Sequence, residues 1–179
     1  MLIKNKPAPS IVANSINDEQ IDLSRLHGKK VLIKFHRFSG CPVAQNQIHE
    51  LIERQNELNA AGIETIVFLH STKKKILSNF KETPGLHIIP DRQKKFYKLY
   101  HSQFLLKKFF SLASWRITFA SIFKGYLPHF NKFGGGVLGI PSDFLLDKNG
   151  IIADLHYGQH FGDSWTVSEV LSRGKLLGD

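Results

Sequence analysis

The chain has 179 residues, is 42% hydrophobic and carries a formal net charge of +9, a length and composition that suit one domain with an apolar core. Its single cysteine excludes a scaffold held by internal disulfides and favours a reducing compartment. The sequence has neither a signal-peptide pattern nor an apolar run approaching the roughly 20 residues that span a bilayer, so we expect a soluble cytoplasmic protein.

The first half of the chain predicts a strand–helix–strand unit. Val31 to His36 is apolar and β-branched, which is typical of a buried strand. From Pro42 the apolar residues recur at helical spacing as far as Gly62, and proline suits a first turn because its missing N–H costs no hydrogen bond there. Ile63 to Leu69 predicts a second strand, parallel to the first through a right-handed crossover.

A short helix, a short strand and an inserted segment follow. Ser71 to Phe80 is typical of a helix with Ser71 or Thr72 as its N-cap, and His87 to Ile89 suits a strand. Approximately residues 92–133 then show aromatic and aliphatic side chains at helical spacing, which predicts a helical insertion within a single domain spanning residues 1–179.

The insertion carries the basic character of the chain. Between Asp91 and Lys132 there are nine Lys or Arg residues and one acid, whereas the rest of the chain has 15 basic and 14 acidic residues. The favoured interpretation is that these helices pack on a sheet and leave their lysines in water. The alternatives are an anionic membrane surface, an acidic partner or a homodimer, and no motif supports nucleic-acid binding.

The last part of the chain predicts a β-hairpin and a closing helix. Residues 140–147 and 151–157 flank Lys148-Asn149-Gly150, a hairpin turn signal. Thr166 to Leu171 predicts the final helix, with Asp163 or Ser164 as its cap. Asp143 and Asp147 flank a strand and are interpreted as turn residues.

Cys41 lies where the first strand gives way to the helix. A thiol at this position faces unpaired backbone N–H groups and the positive end of the helix dipole, and both favour the nucleophilic thiolate. Arg37 or His36 could add positive charge. This chemistry requires a sulfur that solvent reaches and that lies on amide donors. The competing interpretation is an inert cysteine buried in the core.

The nine histidines do not indicate a metal centre. His156 and His160 are four residues apart, but they fall at a strand end and in a glycine-containing loop, where helical spacing has no meaning. No Cys/His cluster has zinc spacing. We therefore expect no metal and no cofactor.

Several segments, in order, carry a family resemblance. They are Lys6-Pro7-Ala8-Pro9 with residues 21–30, residues 35–42 around Cys41, residues 139–150, and the short segments His156-Tyr157-Gly158 and Gly162-Asp163. With them the chain resembles the peroxiredoxin-like branch of the alkyl hydroperoxide reductase/thiol-specific antioxidant group. The resemblance and the order of elements imply a thioredoxin-like α/β fold, with a central mixed sheet of about five strands flanked by helices and a basic aromatic insertion.

The resemblance also implies a set of site residues. Cys41 is the attacking thiol, and Pro141 is the proline that thioredoxin folds hold cis beside the active-site sulfur. The other expected site residues are Ser39 and Arg37, as catalytic partners, and Gly40 and Pro42, as positioning residues. Arg92 and Arg116 are further candidates for an arginine that acts on the thiol.

Two departures from the family pattern bear on the chemistry. The threonine that typical peroxiredoxins carry three residues before the attacking cysteine is Phe38 here, which leaves Ser39 as the nearest hydroxyl in sequence. The second thiol of a C-x-x-C pair would stand at position 44, which is Ala44. Dithiol exchange within this site is therefore impossible.

The resemblance implies a thiol-dependent antioxidant oxidoreductase. The Cys41 thiolate would reduce a small hydroperoxide and become a sulfenic acid, which an external thiol, glutathione or a thioredoxin-like protein, would resolve. One alternative is monothiol disulfide exchange through a mixed disulfide. The other is a redox-inactive thioredoxin-fold module that binds a partner through Pro141 and the insertion.

Overall fold

The computed structural model describes residues 1–102, 123 and 139–178. The strands in these ranges are β1 (Val12–Asn14), β2 (Gln20–Asp22), β3 (Lys30–His36), β4 (Ile63–Leu69), β5 (Leu86–Pro90), β6 (Ser142–Leu146) and β7 (Ile152–Tyr157). The helices are α1 (Pro42–Glu53), α2 (Gln55–Ala60), α3 (Lys73–Asn79), α4 (Lys95–Leu99) and α5 (Val167–Leu176), with a 3₁₀ turn over Leu23–Leu26.

The described strands form a small hairpin and one larger sheet. β1 pairs with β2, and the five-stranded sheet has the order β5-β4-β3-β6-β7. β3, β4 and β5 are parallel, and β6 runs antiparallel to both β3 and β7. The predicted mixed sheet flanked by helices is confirmed, and β3 is its central strand, buried along its whole length.

Alternate residues of β3 pack into two apolar layers, one on each face of the sheet. Leu32 packs in the layer that includes residues of α1 and α5. Ile33 and Phe35 pack in the opposite layer, where the Phe35 ring stacks on Phe68 of β4 with a centroid separation of 4.7 Å. This alternation is the two-residue period of a strand buried on both faces.

A buried ion pair joins β3 to β6 within the sheet. Lys34 and Asp143 are partners in the strand register, and Lys34 Nζ lies 2.9 Å from Asp143 Oδ1, with the two side chains 1% and 0% exposed. Lys34 also donates to the carbonyl of Trp165 at 2.8 Å. The interpretation of Asp143 as a turn residue is therefore wrong. Asp147 does act in the hairpin turn, where its Oδ1 accepts from the Asn149 and Ile151 amides, both at 2.9 Å.

The helix ends differ in part from the predictions. The long predicted helix is divided at Arg54 into α1 and α2. Thr72 is the N-cap of α3, one of the two predicted caps. The predicted caps of the last helix are wrong, because Thr166 caps α5 in a reciprocal capping box with Glu169.

The predicted insertion includes α4, and its residues 103–122 and 124–133 lie outside the described residues. Lys94 is the N-cap residue of α4, and the Asp91 carboxylate accepts from the backbone amides of Lys95, Phe96 and Tyr97 in the first turn. Phe96 and Tyr97 are buried against the sheet, as the packing interpretation expects for this part. None of the described helices is long and apolar enough to cross a membrane.

Candidate active site at Cys41

Cys41 is the N-cap residue of α1, directly after the loop that follows β3. Its position at the strand–helix junction is as predicted, but two expected properties are absent. The residue is 1% exposed, so the expectation that solvent reaches the sulfur is wrong for this conformation. Its side chain makes no capping hydrogen bond with the helix amides. Any activation of the thiol must therefore come from elsewhere.

Arg37 contacts the sulfur of Cys41. Its Nη1 donates to Cys41 Sγ at 3.2 Å, and the guanidinium is itself buried, with 7% of the residue exposed. The pKa of Arg37 is lowered overall, because the effect of burial exceeds the opposing effect of the neighbouring Cys41. A fixed positive charge at hydrogen-bonding distance favours the thiolate over the thiol. The structure thus brings together two of the predicted catalytic residues.

The backbone explains how two residues four apart meet. Arg37 follows the last residue of β3, and its carbonyl still accepts from the His70 amide at 3.2 Å, beyond the end of β4. The chain then turns, with the Cys41 amide donating to the Phe38 carbonyl at 3.0 Å. This turn brings Cys41 back over Arg37 before α1 begins.

His36 does not supply positive charge to the site. It is 2% exposed, and burial, together with the charge of Lys34, lowers its pKa well below the usual 6.5. The imidazole is therefore neutral at physiological pH. Of the two residues expected to add charge near Cys41, only Arg37 does so.

Ser39 anchors the loop rather than the sulfur. Its amide donates to Ser71 Oγ at 3.0 Å, and its hydroxyl is hydrogen-bonded with Ser71, the Lys75 carbonyl and Asn79. Within the described residues these partners all belong to the segment that follows β4, and Cys41 is not among them. The expectation that Ser39 acts directly on the thiol has no support in this geometry.

The three predicted positioning residues are all buried, but one differs in its bond geometry. Gly40 and Pro42 flank Cys41, and Pro42 is the first residue of α1, as predicted. Pro141 directly precedes β6, and its carbonyl accepts from the Gly158 amide at 3.0 Å. The described residues contain no cis peptide bond, so the bond before Pro141 is trans, unlike the cis bond that the resemblance implies for this proline.

Phe161 is the site residue that the sequence analysis missed. It lies in the loop between β7 and α5, residues 158–165, and its ring lies 3.8 Å from the Arg37 guanidinium carbon. The Phe38 ring is farther from the same carbon, at 5.5 Å. The family-like residues on either side of Phe161 drew attention to this loop, but nothing in the sequence connected it to Arg37.

Asp163 organises this loop instead of capping a helix. Its Oδ2 accepts from the Gln159 amide at 2.6 Å, and its Oδ1 lies 2.8 Å from His156 Nε2. Burial raises the pKa of Asp163, but the bonds from Gln159 and His156 outweigh it, so that the pKa is lowered overall. The carboxylate therefore stays charged and holds the loop in one conformation.

The other arginine and metal candidates do not enter the site. Arg92 is exposed after β5, where its carbonyl is hydrogen-bonded with His70. Arg116 lies outside the described residues. Within the ranges that the structure covers, no group of three or more His, Cys, Asp or Glu side chains could hold a metal ion.

A family comparison identifies the class of protein. The model of the AhpC/TSA family matches residues 5–155. The chain belongs to the AhpC/TSA family. No curated protein sequence matches this family member. Its resemblance to the alkyl hydroperoxide reductase/thiol-specific antioxidant group, predicted from the sequence, is confirmed.

Solved structures with the same fold include peroxiredoxins. A reduced 2-Cys peroxiredoxin of Plasmodium vivax has a TM-score of 0.71 at 16% identity, covering 98% of this chain and 81% of its own. A yeast mitochondrial 1-Cys peroxiredoxin has a TM-score of 0.67 at 16% identity, covering 96% and 74%. A putative thiol:disulfide interchange protein, DsbE, of Chlorobium tepidum has a TM-score of 0.64 at 17% identity, covering 98% and 97%. At these identities the likeness shows the thioredoxin-like fold alone.

Proposed function

We propose that this AhpC/TSA family member is a single-cysteine thiol oxidoreductase that reduces small hydroperoxides at Cys41. Membership of the family supports the oxidoreductase class. The observation that carries the proposal is the hydrogen bond of 3.2 Å from Arg37 Nη1 to Cys41 Sγ. A buried cation in contact with a lone cysteine is the environment of a reactive thiolate rather than of an inert core residue.

The first step is the attack of the thiolate on one oxygen of the hydroperoxide. The S–O bond forms as the O–O bond breaks, the second oxygen leaves as an alkoxide that takes up a proton, and Cys41 becomes a sulfenic acid. Negative charge moves from sulfur to the departing oxygen during this step. Arg37 already donates to the sulfur at 3.2 Å, and a preorganised donor beside the reacting atoms stabilises the transition state.

Two external thiols complete the cycle, because the chain has no second cysteine. The first attacks the sulfenic sulfur, water leaves, and a mixed disulfide forms. The second attacks the mixed disulfide, releasing the Cys41 thiolate and an external disulfide. Glutathione or a thioredoxin-like protein would supply these thiols, in the reducing cytoplasmic compartment that the cysteine content favours.

Burial of the sulfur supports a small oxidant over a bulky one. At 1% exposure, Cys41 is within reach only of molecules that enter through small local openings, and hydrogen peroxide is of that size. Direct disulfide exchange needs three sulfurs in line, and therefore a larger opening at the first step. Of the two oxidoreductase reactions, monothiol exchange with protein disulfides is therefore less favoured than reduction of a hydroperoxide.

The same burial supports a second candidate outside the enzymes. If the sulfur stays closed to solvent, the chain is a redox-inactive thioredoxin-fold module that binds a partner. In that case the Arg37–Cys41 contact contributes only to packing. The two candidates differ in one observable property, the reactivity of the thiol in the folded protein.

Intact-mass measurement after a slight excess of hydrogen peroxide tests the proposal. We expect rapid gain of one oxygen by the folded protein, and a glutathione adduct when glutathione is present. Cys41→Ser is the matched control and should gain neither. A thiol that remains unmodified under native conditions, but reacts after unfolding, would contradict the oxidoreductase and support the binding module.

A further inference from the structure

The Phe161 ring and the Arg37 guanidinium form a buried stack beside Cys41. The guanidinium carbon lies 3.8 Å from the ring centroid, and each residue is 7% exposed. We propose that Phe161 is a positioning residue, whose ring holds the guanidinium so that Nη1 faces the Cys41 sulfur. This inference rests on the proposed function, because it names a residue that sets the reactivity of the same thiol.

The geometry of a guanidinium makes such support effective. Arginine has a long side chain with many rotamers, so the hydrogen bond from Nη1 to sulfur does not by itself fix the orientation of the guanidinium. A ring against the face of the guanidinium leaves the N–H groups at its edge available to donate in plane. Arg37 shows this division, since its face meets Phe161 while Nη1 donates to Cys41.

The 158–165 loop that carries Phe161 is fixed at both ends. At its start, the Gly158 amide donates to the Pro141 carbonyl at 3.0 Å. At its end, Asp143 accepts from Ser164 Oγ and from the Trp165 amide, each at 2.8 Å. Asp143 is held in turn by the buried ion pair with Lys34. The loop is therefore joined to the central strands of the sheet.

The middle of the loop is also constrained. Asp163 bonds the Gln159 amide and His156, as described above, and Gln47 of α1 donates from Nε2 to the Gly162 carbonyl at 3.3 Å. A Cβ on Gly158 would lie 2.4 Å from the Asp163 carbonyl oxygen, so the backbone closes on itself at a position where only glycine fits. These bonds hold the loop around Phe161 against α1, the helix that begins directly after Cys41.

The rate of Cys41 alkylation by iodoacetamide tests the inference without requiring peroxide turnover. At neutral pH, Phe161→Leu should lower this rate about three- to tenfold, a loss within the range of cation–π contacts in proteins. Phe161→Met also lacks an aromatic ring and should lower the rate by a similar factor. It replaces Phe161→Leu in the experiment if that variant is poorly folded. Phe161→Tyr keeps the ring and should retain the wild-type rate. Gln159→Ala, in the same loop but exposed, is the matched control.

A double-mutant cycle separates positioning from simple packing or covering. If Phe161 acts through Arg37, Phe161→Leu should change the rate in the wild-type background and have no further effect in Arg37→Met. An equal change in both backgrounds, in either direction, would overturn the inference by showing that the ring only covers the thiol. So would a wild-type rate in both Phe161→Leu and Phe161→Met.

The inference and the proposed function fail in different ways. Normal alkylation with the predicted Phe161 effects, but no oxygen gained from peroxide, would refute the oxidoreductase and leave the positioning role standing. Oxidation of Cys41 by peroxide, with no effect of Phe161→Leu on alkylation, would refute the positioning role and leave the oxidoreductase standing. A wild-type thiol that neither iodoacetamide nor hydrogen peroxide modifies in the folded state would overturn both.

Discussion

Lys34 and Arg37 are two buried cations at the end of the same central strand, and they have different partners. Lys34 is paired with the carboxylate of Asp143 at 2.9 Å and also bonds the Trp165 carbonyl. Arg37 faces the Cys41 sulfur at 3.2 Å. A buried carboxylate beside a lysine is a permanent partner, whereas a thiol gains or loses its charge with its chemistry. The first pair is suited to holding structure and the second to reactivity.

The largest effect should come from breaking the structural pair. Asp143→Asn leaves the Lys34 charge buried without its counterion, and the free energy of unfolding should fall by about 3–5 kcal/mol. Urea unfolding measures the change. A double variant, Lys34→Met with Asp143→Leu, should recover only part of the loss, because no charge remains buried but the Trp165 amide and carbonyl lose their partners. A loss of less than about 1 kcal/mol in Asp143→Asn would contradict this, because it would mean that the buried pair contributes no more than an exposed ion pair.

Breaking the reactive pair should mainly change chemistry. Arg37→Met removes the charged hydrogen bond to sulfur and should slow oxidation of Cys41 by hydrogen peroxide about 10- to 100-fold, the scale of hydrogen bonds to charged groups. The measurement is the rate of oxygen gain by mass spectrometry. Arg37→Lys, which keeps the charge but loses the planar face, should fall between wild type and Arg37→Met. Equal rates in all three would show that Arg37 has no influence on the thiol.

His36 lies between the two cations and should give the protein an acid-sensitive stability. Its pKa in the folded state is far below 6.5, so below about pH 6.5 the unfolded chain binds more protons and stability falls by about 1 kcal/mol per pH unit. The loss continues until the pH reaches the folded-state pKa. His36→Phe should flatten the dependence of the melting temperature on pH in this range. Some slope should remain, because burial also lowers the pKa of His70.

The smallest effect concerns the helix next to the structural pair. Thr166 caps α5 directly after Trp165, and the Trp165 carbonyl accepts a hydrogen bond from Lys34. Thr166→Ala should reduce the free energy of unfolding by about 1 kcal/mol. Urea unfolding measures it, and the alkylation rate of Cys41 should be unchanged. A changed alkylation rate would show that the two pairs are coupled through the 158–165 loop.

Local patterns were sufficient to predict the elements that frame the site. The apolar runs at 31–36 and 63–69 and the proline at the start of α1 each act within a few residues, so the strand–helix junction at Cys41 follows from them. The cap of α5 could also have been found, because Thr166 is followed three residues later by Glu169, the capping-box spacing. Asp163 and Ser164 lack that partner.

The rest of the site depends on contacts between distant segments. Asp143 meets Lys34 through the register of two strands, and Phe161 meets Arg37 through a loop more than a hundred residues away along the chain. No periodicity or short motif encodes either contact. The burial of Cys41 was missed for the same reason, since the exposure of a helix-start residue depends on which segments pack over it.

The central proposal is that the contact between Arg37 and Cys41 makes this thiol reactive inside the folded protein. Far-ultraviolet thiolate absorbance at neutral pH tests it most directly, taken as the difference between the wild type and Cys41→Ser. The account predicts a clear thiolate signal in the folded wild type that Arg37→Met largely loses. A wild type with no more absorbance than Cys41→Ser would contradict it.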